Sequence, residues 1–253
     1  MPLDLVRIEE SGLNVLQTQR QLFYDGWLLR LSPGVAKRAR SVNPHFGSSL
    51  PLERKIAYCE NVYAQQALPT LFRITPWSKP SDVDAVLGAR GYETFGETLV
   101  QAMALDRPPA LPDRDDAVTV EAPDALAFVE AVGELRDSTP LQREAHRERL
   151  ANSMLGKRHV VIRAEDRVVC TAQVAIEGEL AGLFDVVTAP HERRRGYATL
   201  ACASLLSWAW QHGAQAAYLQ VSADNMPAIA SYKKFGFATV YTYHYRGRPG
   251  ACE

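Results

Sequence analysis

The feature that most constrains the fold is an order of elements that occurs twice along the chain. In each half, a helix is followed by a short strand, a short helix, a glycine–aromatic pair and a final strand. Gly91-Tyr92 holds this position in the first half, and Gly236-Phe237 holds it in the second. This recurrence indicates a weak internal repeat. Strands mixed with helices in this order predict a mixed α/β sheet rather than an all-α or all-β fold.

A segment rich in proline and charged residues separates the two halves. It runs Asp106-RPPALPDRDD-Ala117, shows no apolar periodicity and is typical of a linker or a long surface connection. A chain of 253 residues is long enough for one large domain or two small ones. We therefore predict an N-terminal domain over residues 1–106, a linker over 107–117 and a C-terminal domain over 118–253.

Periodicity and turn signals place the individual elements. In the first half, Pro33-Gly34 separates two runs typical of strands, and apolar residues at helical spacing follow after Leu52. The elements expected there are strands over 26–32, 37–43 and 70–75, helices over 52–67 and 81–90, and a strand after Gly91-Tyr92. The elements expected in the second half are strands over 118–122, 158–164, 167–176, 180–188, 216–222 and 239–246, and helices over 124–135, 141–155, 197–212 and 226–234.

Composition excludes several classes of function. Hydrophobic residues make up 47% of the chain and charged residues 23%, as in an ordinary globular protein. The formal net charge of −1 gives no field that would attract nucleic acid or an anionic membrane. No apolar run approaches the roughly 20 residues that span a bilayer, and the N-terminus lacks the pattern of a secretory signal. We expect a cytoplasmic protein without a bound metal, because its four cysteines lack metal-binding spacing: Cys59, Cys170, Cys202 and Cys252.

The stretch with the most chemical information is Leu183-FDVVTAPHERRRGYATLACASLLSWAWQHG. A buried strand ends near Pro190, a short loop carries Arg193-RRGY-Ala198, and a long helix begins at once. The first amides of a helix have no partner within the helix. Together with the helix dipole and the arginines, they form an anion site suited to a phosphate or pyrophosphate. Alone, an arginine-rich helix start is also typical of a solvated turn.

A second helix further along the chain supports the phosphate interpretation. The strand 216–222 is followed by Asp224-NM-Pro227, which is a good helix start. Asn225 and Tyr232 are seven residues apart, about two helical turns, so both lie along one face. A tyrosine there can donate its proton to a departing thiolate, since the two groups have comparable pKa values. A helix cap and a packed aromatic are the alternative interpretations of these two residues.

The segments Val187-TAP-His191, Arg193-RRGYA and Asn225-MPAIASYKKFGF together resemble the GNAT superfamily of acyl-CoA-dependent N-acyltransferases. The matching pattern is R-x-x-G-x-A followed by N-x-x-A-x-x-x-Y-x-x-x-G-F, and the resemblance covers about residues 118–246. It implies a mixed sheet, flanked by helices, that splays open between the strand ending at Thr188 and the strand 216–222. It also implies acetyl-CoA as the acetyl donor.

The same resemblance implies the residues of the site. Asn225 would touch the pantetheine arm of acetyl-CoA, and Tyr232 would protonate the coenzyme A thiolate. Backbone groups of Val186, Val187 and Thr188 would bond the pantetheine. The pyrophosphate would lie on the loop and first helical turn formed by Arg193, Arg194, Arg195, Gly196, Tyr197, Ala198 and Thr199.

The first half has no such phosphate loop. Its long helix follows Pro44-HFGSSLPLERK, which lacks the R-x-x-G-x-A pattern. The layout resembles tandem acetyltransferases, with a GNAT-related but degenerate N-terminal half. We expect this half to complete the sheet or to form a wall of the acceptor site.

The general base is the point at which the sequence departs from the family pattern. Some relatives carry a glutamate where this chain has Gln220, and glutamine cannot accept a proton. Glu179 is our first candidate for a substitute, with Glu177 and Asp185 as alternatives on or near the same strand. We interpret His191 as an exposed loop residue and His244 as structural.

The sequence therefore predicts a GNAT-type N-acetyltransferase that moves an acetyl group from acetyl-CoA to a primary amine by direct transfer. The acceptor is a small molecule or a protein N-terminus, and the sequence does not indicate an oligomeric state. Two alternatives stay open: a non-catalytic acyl-CoA sensor, and a transferase for a longer acyl group or a hydroxyl acceptor.

Overall fold

The structure is a computed structural model, and it describes residues 3–18, 20–34, 36–113 and 115–250. Within these ranges no helix is long and apolar enough to cross a membrane. The strands are β1 (Gln21–Tyr24), β2 (Trp27–Arg30), β3 (Val42–Pro44), β4 (Leu71–Ile74), β5 (Glu93–Ala104), β6 (Val118–Glu121), β7 (Gly156–Ala164), β8 (Arg167–Glu177), β9 (Leu180–Thr188), β10 (Ala216–Ser222) and β11 (Ala238–Gly247). The helices are α1 (Leu5–Asn14), α2 (Leu52–Gln65), α3 (Val83–Ala89), α4 (Ala125–Leu135), α5 (Pro140–Ala151), α6 (Tyr197–Gln211) and α7 (Met226–Lys233).

All of these strands belong to one sheet, in the order β1-β2-β3-β4-β11-β5-β10-β9-β8-β7-β6. The last strand of each half crosses into the other half. β5 pairs antiparallel with both β10 and β11, and β11 also pairs antiparallel with β4. The mixed α/β fold is thus confirmed, and the halves share a single hydrogen-bonded sheet. The division into residues 1–106, 107–117 and 118–253 stays a prediction.

Side chains alternate between the two faces of the sheet and so separate the helices into two layers. On β10, Leu219 packs against α6 and α7, whereas Tyr218 points to the opposite face. On β7, Ile162 packs with α6, whereas Val161 packs with α4 and α5. On β4, Phe72 packs with α2 and α3. The helices α2, α3, α6 and α7 therefore cover one face, and α1, α4 and α5 cover the other.

The segment 37–43 differs from its prediction as one strand. Residues Lys37–Ala39 form a 3-10 helix, and only Val42–Pro44 is a strand. The alternation of charged and apolar residues in this segment resembles a strand pattern. The chain instead turns there, which places the Arg38 guanidinium 5.5 Å from the centre of the Phe184 ring.

The helix α1 was not predicted from the sequence, although it carries a clear start signal. The Asp4 carboxylate accepts hydrogen bonds from the amides of Val6 and Arg7. Buried between α1 and the sheet is the ion pair of Glu9 with Arg73 on β4. The Tyr241 hydroxyl donates a further hydrogen bond of 2.8 Å to Glu9. Together these contacts lower the pKa of Glu9 to about 2, against the effect of burial.

Candidate active site

The strands β9 and β10 run parallel but pair along only part of their length. The ladder joins residues 180–183 to residues 216–219 and ends there. β9 continues to Thr188 and β10 continues to Ser222 without further pairing between them. This opening is the splay that the family resemblance implies, in the middle of an otherwise continuous sheet.

A bulge shapes the edge of β9 that faces the opening. Phe184 pairs with Gln173 on β8, and Val187 pairs with Thr171, so Asp185 and Val186 together stand opposite a single residue of β8. In this region β9 keeps its partner on the β8 side and has no strand partner on the β10 side within the described residues. The edge over Val186, Val187 and Thr188 can therefore hydrogen-bond an extended ligand as a further strand would.

A loop with left-handed backbone leads from β9 into α6. Arg194 and Gly196 have φ angles of 66° and 84°, a conformation that glycine adopts without steric cost. Gly196 is the N-cap of α6, and no side chain of the described chain caps the first helical turn. A Cβ atom on Gly196 would meet no atom within 4 Å. The first-turn amides of α6 thus lack a side-chain cap, and the space beside Gly196 is open, so the loop can receive an anion.

The three arginines of this loop differ in their contacts. Arg193 and Arg194 are exposed. Arg195 lies 3.1 Å from the buried carboxylate of Glu192. A hydrogen bond with Tyr197 raises the pKa of Arg195, and the charge of Glu192 acts in the same direction. Arg193 and Arg194 thus have more freedom than Arg195 to approach a phosphate. The predicted residues Tyr197, Ala198 and Thr199 form the half-buried first turn of α6.

Asn225 and Tyr232 both lie on α7, where the sequence places them. Asn225 is the exposed N-cap, and its Oδ1 atom accepts a hydrogen bond of 3.3 Å from the Ala228 amide. Tyr232 is half-buried, and its ring meets the Phe237 ring edge-on with centroids 6.0 Å apart. Both structural interpretations, a helix cap and a packed aromatic, therefore describe real contacts. Neither contact uses the Tyr232 hydroxyl.

Tyr232 packs against the core cluster that contains Cys170 and Cys202. Burial raises its pKa, and the neighbouring thiols of Cys202 and Cys170 act in the same direction. The Cys170 sulfur in turn accepts a hydrogen bond of 3.4 Å from the Thr188 hydroxyl. Tyr232 on α7 and Thr188 on β9 thus flank one region on the α6 side of the opening. The phenol is protonated at neutral pH, as a proton donor must be, but the raised pKa makes it a weaker acid than a free tyrosine.

A cleft of about 950 Å³ lies beside α6 and α7. Thr199 lines it from α6, and Lys234 and Phe235 line it from the end of α7. Residues 106–110 of the segment between the two halves form another wall. This space is large enough for a sizeable part of an elongated ligand.

The Asp185 carboxylate at the bulge is fully engaged. It accepts a hydrogen bond of 2.6 Å from Gln173, and it lies 2.8 Å from Arg136 and 3.3 Å from His146. These partners hold its pKa far below the ordinary value, although burial acts the other way. An anion stabilised to this degree is a poor proton acceptor at neutral pH.

The other candidate bases lie at the closed end of the opening. Glu179 is exposed in the turn before β9, and it accepts a hydrogen bond of 2.6 Å from Gln215. Since β9 begins at Leu180, nearly its whole length separates Glu179 from the phosphate loop. Glu177 accepts a hydrogen bond of 2.9 Å from Asn14. The structure therefore brings neither Glu179 nor Glu177 to the open part of the splay.

Sequence reasoning missed the groups that line the opposite face of the opening. Gln220 points to this face and accepts a hydrogen bond of 2.9 Å from the Tyr243 hydroxyl. The helix α1 lies so close that a Cβ atom on Gly12 would stand 2.6 Å from the Gln220 amide nitrogen. The ring of Phe184 also packs on this side. The contact between Gly12 and Gln220 joins residues more than 200 positions apart, so no local sequence signal predicts it.

His191 and His244 lie where the sequence predicts. His191 is exposed in the turn before the phosphate loop. His244 lies on β11, with its Nε2 atom 2.9 Å from the Asp84 carboxylate on α3.

Known proteins share this architecture over nearly the whole chain. The uncharacterized N-acetyltransferase YobR of Bacillus subtilis (strain 168) is 26% identical over 246 residues, which cover 96% of this chain and 98% of YobR. The structure of a GCN5-related N-acetyltransferase from Kribbella flavida matches with a TM-score of 0.70 and 19% identity, over 96% of this chain and 95% of that one. A tandem GNAT protein from the clavulanic acid biosynthesis pathway matches with a TM-score of 0.61 and 15% identity, over 75% of this chain and 66% of that one.

The splayed sheet and the arginine–glycine loop at its edge, together with these relatives, define the class: the protein is a GNAT-type N-acetyltransferase. Enzymes of this class use acetyl-CoA and an amine acceptor. Within the class, the chain belongs to the family described as "Probable histone acetyltransferase Rv0428c C-terminal", which matches residues 7–246.

Proposed function

We propose that this protein transfers the acetyl group of acetyl-CoA directly to a primary amine, on a small molecule or a protein N-terminus. The observation that carries the proposal is the meeting of two unpaired backbone surfaces. The edge of β9 over Val186–Thr188 has no partner on the β10 side, and the uncapped start of α6 lies just beyond it. A ligand with a peptide-like arm and a pyrophosphate matches these two surfaces.

Different parts of the site would bind the two parts of this ligand. The pantetheine arm would bond the backbone of Val186 and Thr188, with Asn225 on α7 close to it. The pyrophosphate would lie on the first-turn amides of α6, with Arg193 and Arg194 beside it. Residue 196 must be glycine in this arrangement, because the phosphates would fill the space that a side chain there would occupy.

The chemistry requires little covalent participation by the protein. The amine nitrogen attacks the thioester carbonyl, and the C–S bond breaks as the C–N bond becomes established. Holding the two reactants together supplies much of the rate enhancement, and backbone donors at the bulge of β9 polarise the carbonyl. Tyr232 then gives its phenolic proton to the leaving thiolate.

The amine must lose a proton before or during attack, because a free alkylamine is protonated at neutral pH. Asp185 is held as a stable anion by Arg136 and His146, and Glu179 lies at the closed end of the opening. We therefore propose that water in the opening, rather than Glu179, carries the amine proton to solvent.

Replacing Tyr232 with phenylalanine tests the assigned proton donor. We expect Tyr232→Phe to lower kcat by roughly 10- to 100-fold and to leave the Kd for acetyl-CoA nearly unchanged, because the ring contact with Phe237 is retained. Tyr58→Phe, on helix α2 of the first half, is the control for loss of a tyrosine hydroxyl away from the site and should behave as the parent protein. An equal loss of turnover and of acetyl-CoA affinity in Tyr232→Phe would mean that the tyrosine is structural.

A further inference from the structure

Three cationic side chains near the opening each contain a buried nitrogen without a hydrogen-bond partner in the described chain. These atoms are Nη1 of Arg38, Nε of Arg149 and Nζ of Lys157. All three residues lie on the face covered by α1, α4 and α5, opposite the proposed acetyl-CoA surface. A buried donor that has lost its water without gaining a partner is costly, most of all when it is charged. Three in one region require an explanation.

Arg38 marks the position of this cluster relative to the opening. The 3-10 helix Lys37–Ala39 carries it over the sheet of the second half, with its guanidinium 5.5 Å from the Phe184 ring centre. Phe184 is the first residue of β9 beyond the last pair with β10. Arg38 therefore lies at the point where the splay begins.

Arg149 approaches the same place from α5. A Cβ atom on Gly34, four residues before Arg38, would lie 3.0 Å from Arg149 Nη1. The Nη1 group is satisfied by the carbonyl of Ala145 at 2.9 Å. Burial lowers the pKa of Arg149, Asp185 opposes this effect, and the positive charges of Arg136 and Arg38 lower the pKa further. Through its contact at Gly34, Arg149 therefore reaches a position only four residues before Arg38.

Lys157 completes the cluster from β7. Burial lowers its pKa to about 8, and the charge of Arg149 acts in the same direction. Asp185 opposes this effect, but its oxygens already contact Gln173, Arg136 and His146. The carboxylate of Glu177 on the same face contacts Asn14 and Arg7 through Oε1, and its Oε2 atom is buried without a hydrogen-bond partner in the described chain. The cluster therefore has an excess of positive charge that the described chain does not neutralise.

We infer that this cluster binds an anionic group on the acceptor, so that the substrate is a small amine that also carries a carboxylate or a phosphate. The inference rests on the proposed acetyl transfer. Arginine is suited to both groups, because its planar fork of N–H donors matches their oxygens. An acceptor held in this way on the α1 face would present its amine to the opening, while acetyl-CoA approaches from the α6 face.

The same charges act against a strongly basic acceptor. A lysine-rich peptide would have to bring further positive charge next to Arg38 and Arg149, which are themselves positively charged. The acceptor class inferred here therefore differs from the histone that the family description names.

Matched pairs of amines test the inference. Release of coenzyme A would be followed with glycine and glycinamide, with O-phosphoethanolamine and ethanolamine, and with a lysine-rich peptide. We expect kcat/KM to be at least about tenfold higher for the anionic member of a pair. The glycine pair reports on carboxylate recognition, and the ethanolamine pair reports on phosphate recognition.

Variants then assign the preference to the cluster. Arg38→Gln and Arg149→Gln should each lose most of the preference for the anionic member while keeping the affinity for acetyl-CoA. Arg147→Gln is the matched control, because Arg147 lies on the same helix but pairs at the surface with Glu130 and Glu144. This control should keep the full preference.

Equal rates for both members of each pair, or a preference for the basic peptide, would overturn the inference and leave the proposed acetyl transfer intact. If acetyl-CoA binds but no amine accepts the acetyl group, the proposed function fails instead. In that case the anion-binding role of the cluster is tested by calorimetry, which compares the affinities of the coenzyme A complex for N-acetylglycine and for its amide. Equal affinities there would overturn the inference as well.

Discussion

The two halves of the chain each contain a parallel strand pair joined by a long helix, and they treat the start of that helix in opposite ways. In the second half, the unit β9–α6–β10 leaves the first turn of α6 uncapped and open. In the first half, a carboxylate of the protein itself occupies the equivalent place, just before α2 of the unit β3–α2–β4. The Asp25 carboxylate accepts hydrogen bonds from the amides of Ser49 and Leu50, at 2.9–3.1 Å, immediately before α2.

A buried lysine, Lys55, also contacts Asp25. We call Asp25 and Lys55 together the plug of the first half, because they occupy the space at the start of α2. The Lys55 side chain is fully buried, and its ammonium donates a hydrogen bond of 2.6 Å to the Asp25 carbonyl. It also lies 4.0 Å from the centre of the Trp27 ring. The strands β3 and β4 share only one paired position, Val42 with Phe72, yet the space around them is filled by the half's own side chains.

The comparison shows how one architecture can provide a ligand site or a structural support. The difference lies in a few residues: glycine and arginines before α6, against a carboxylate and a lysine around α2. The strands of the first half still complete the sheet of the second half. β5 supplies the only hydrogen-bonded connection between β10 and β11 in the described sheet.

The largest effect should come from separating the halves. A fragment of residues 118–253 lacks β5, so the facing edges of β10 and β11 lose their partner and the α6 core loses Leu99 and Met103. We expect this fragment to show no cooperative thermal unfolding by circular dichroism and to bind no acetyl-CoA. Adding a separately produced fragment of residues 1–117 should restore both properties at least in part. A stable, fully active 118–253 fragment would contradict the claim that the second half depends on β5 of the first half.

The next largest effect should come from closing the open helix start. Gly196→Glu places bulk and negative charge where the pyrophosphate is proposed to lie, and we expect a loss of acetyl-CoA affinity of at least about 100-fold by calorimetry. Gly213→Glu is the matched control, since Gly213 also has a left-handed backbone, with φ of 91°, but follows the far end of α6. Retained affinity in Gly196→Glu would refute the assignment of the phosphate loop.

The elements predicted best are those whose signals are local. The strand β9, the loop with Gly196 and the helices α6 and α7 follow one another within about 50 residues, and each has a start or stop signal of its own. The sequence therefore predicts the start of α6 closely, and the splay follows from the family resemblance of the same segments. It also predicts the mixed sheet, because the order of strands and helices is sufficient for that.

The features missed depend on contacts between distant segments. The insertion of β5 between β10 and β11 cannot be read from β5 itself, since its apolar pattern fits any neighbour. The charged cluster joins residues 38, 149 and 157 from three separate elements. The plug of the first half depends on a carboxylate in the turn after β1, about 25 residues before the amides it contacts.

The smallest effect should come from removing the charge of the plug. The amides of Ser49 and Leu50 hold the pKa of Asp25 well below its usual value of 3.8, so folding stabilises the ionised form. This contribution to stability is present above about pH 3.8 and is lost as the pH falls further. We expect Asp25→Asn to lower the Tm by a few degrees at pH 7 and to leave acetyl-CoA affinity unchanged.

The pH dependence of the Tm of this variant tests whether the charge of Asp25 causes the effect. The difference in Tm between the parent protein and Asp25→Asn should shrink as the pH is lowered below about 3.8. A difference that is the same at pH 3 and pH 7 would mean that the carboxylate charge does not support the first half. Asparagine is the suitable replacement because it tolerates the left-handed backbone of residue 25, with φ of 42°.

The central claim is that one half is open to acetyl-CoA and the other is filled by its own residues. Calorimetric titration of the full chain with acetyl-CoA, and separately with coenzyme A, tests this claim most directly. We predict saturable binding of both ligands at one site per chain. Two sites per chain would contradict the closed first half, and no binding of either ligand would contradict the open second half.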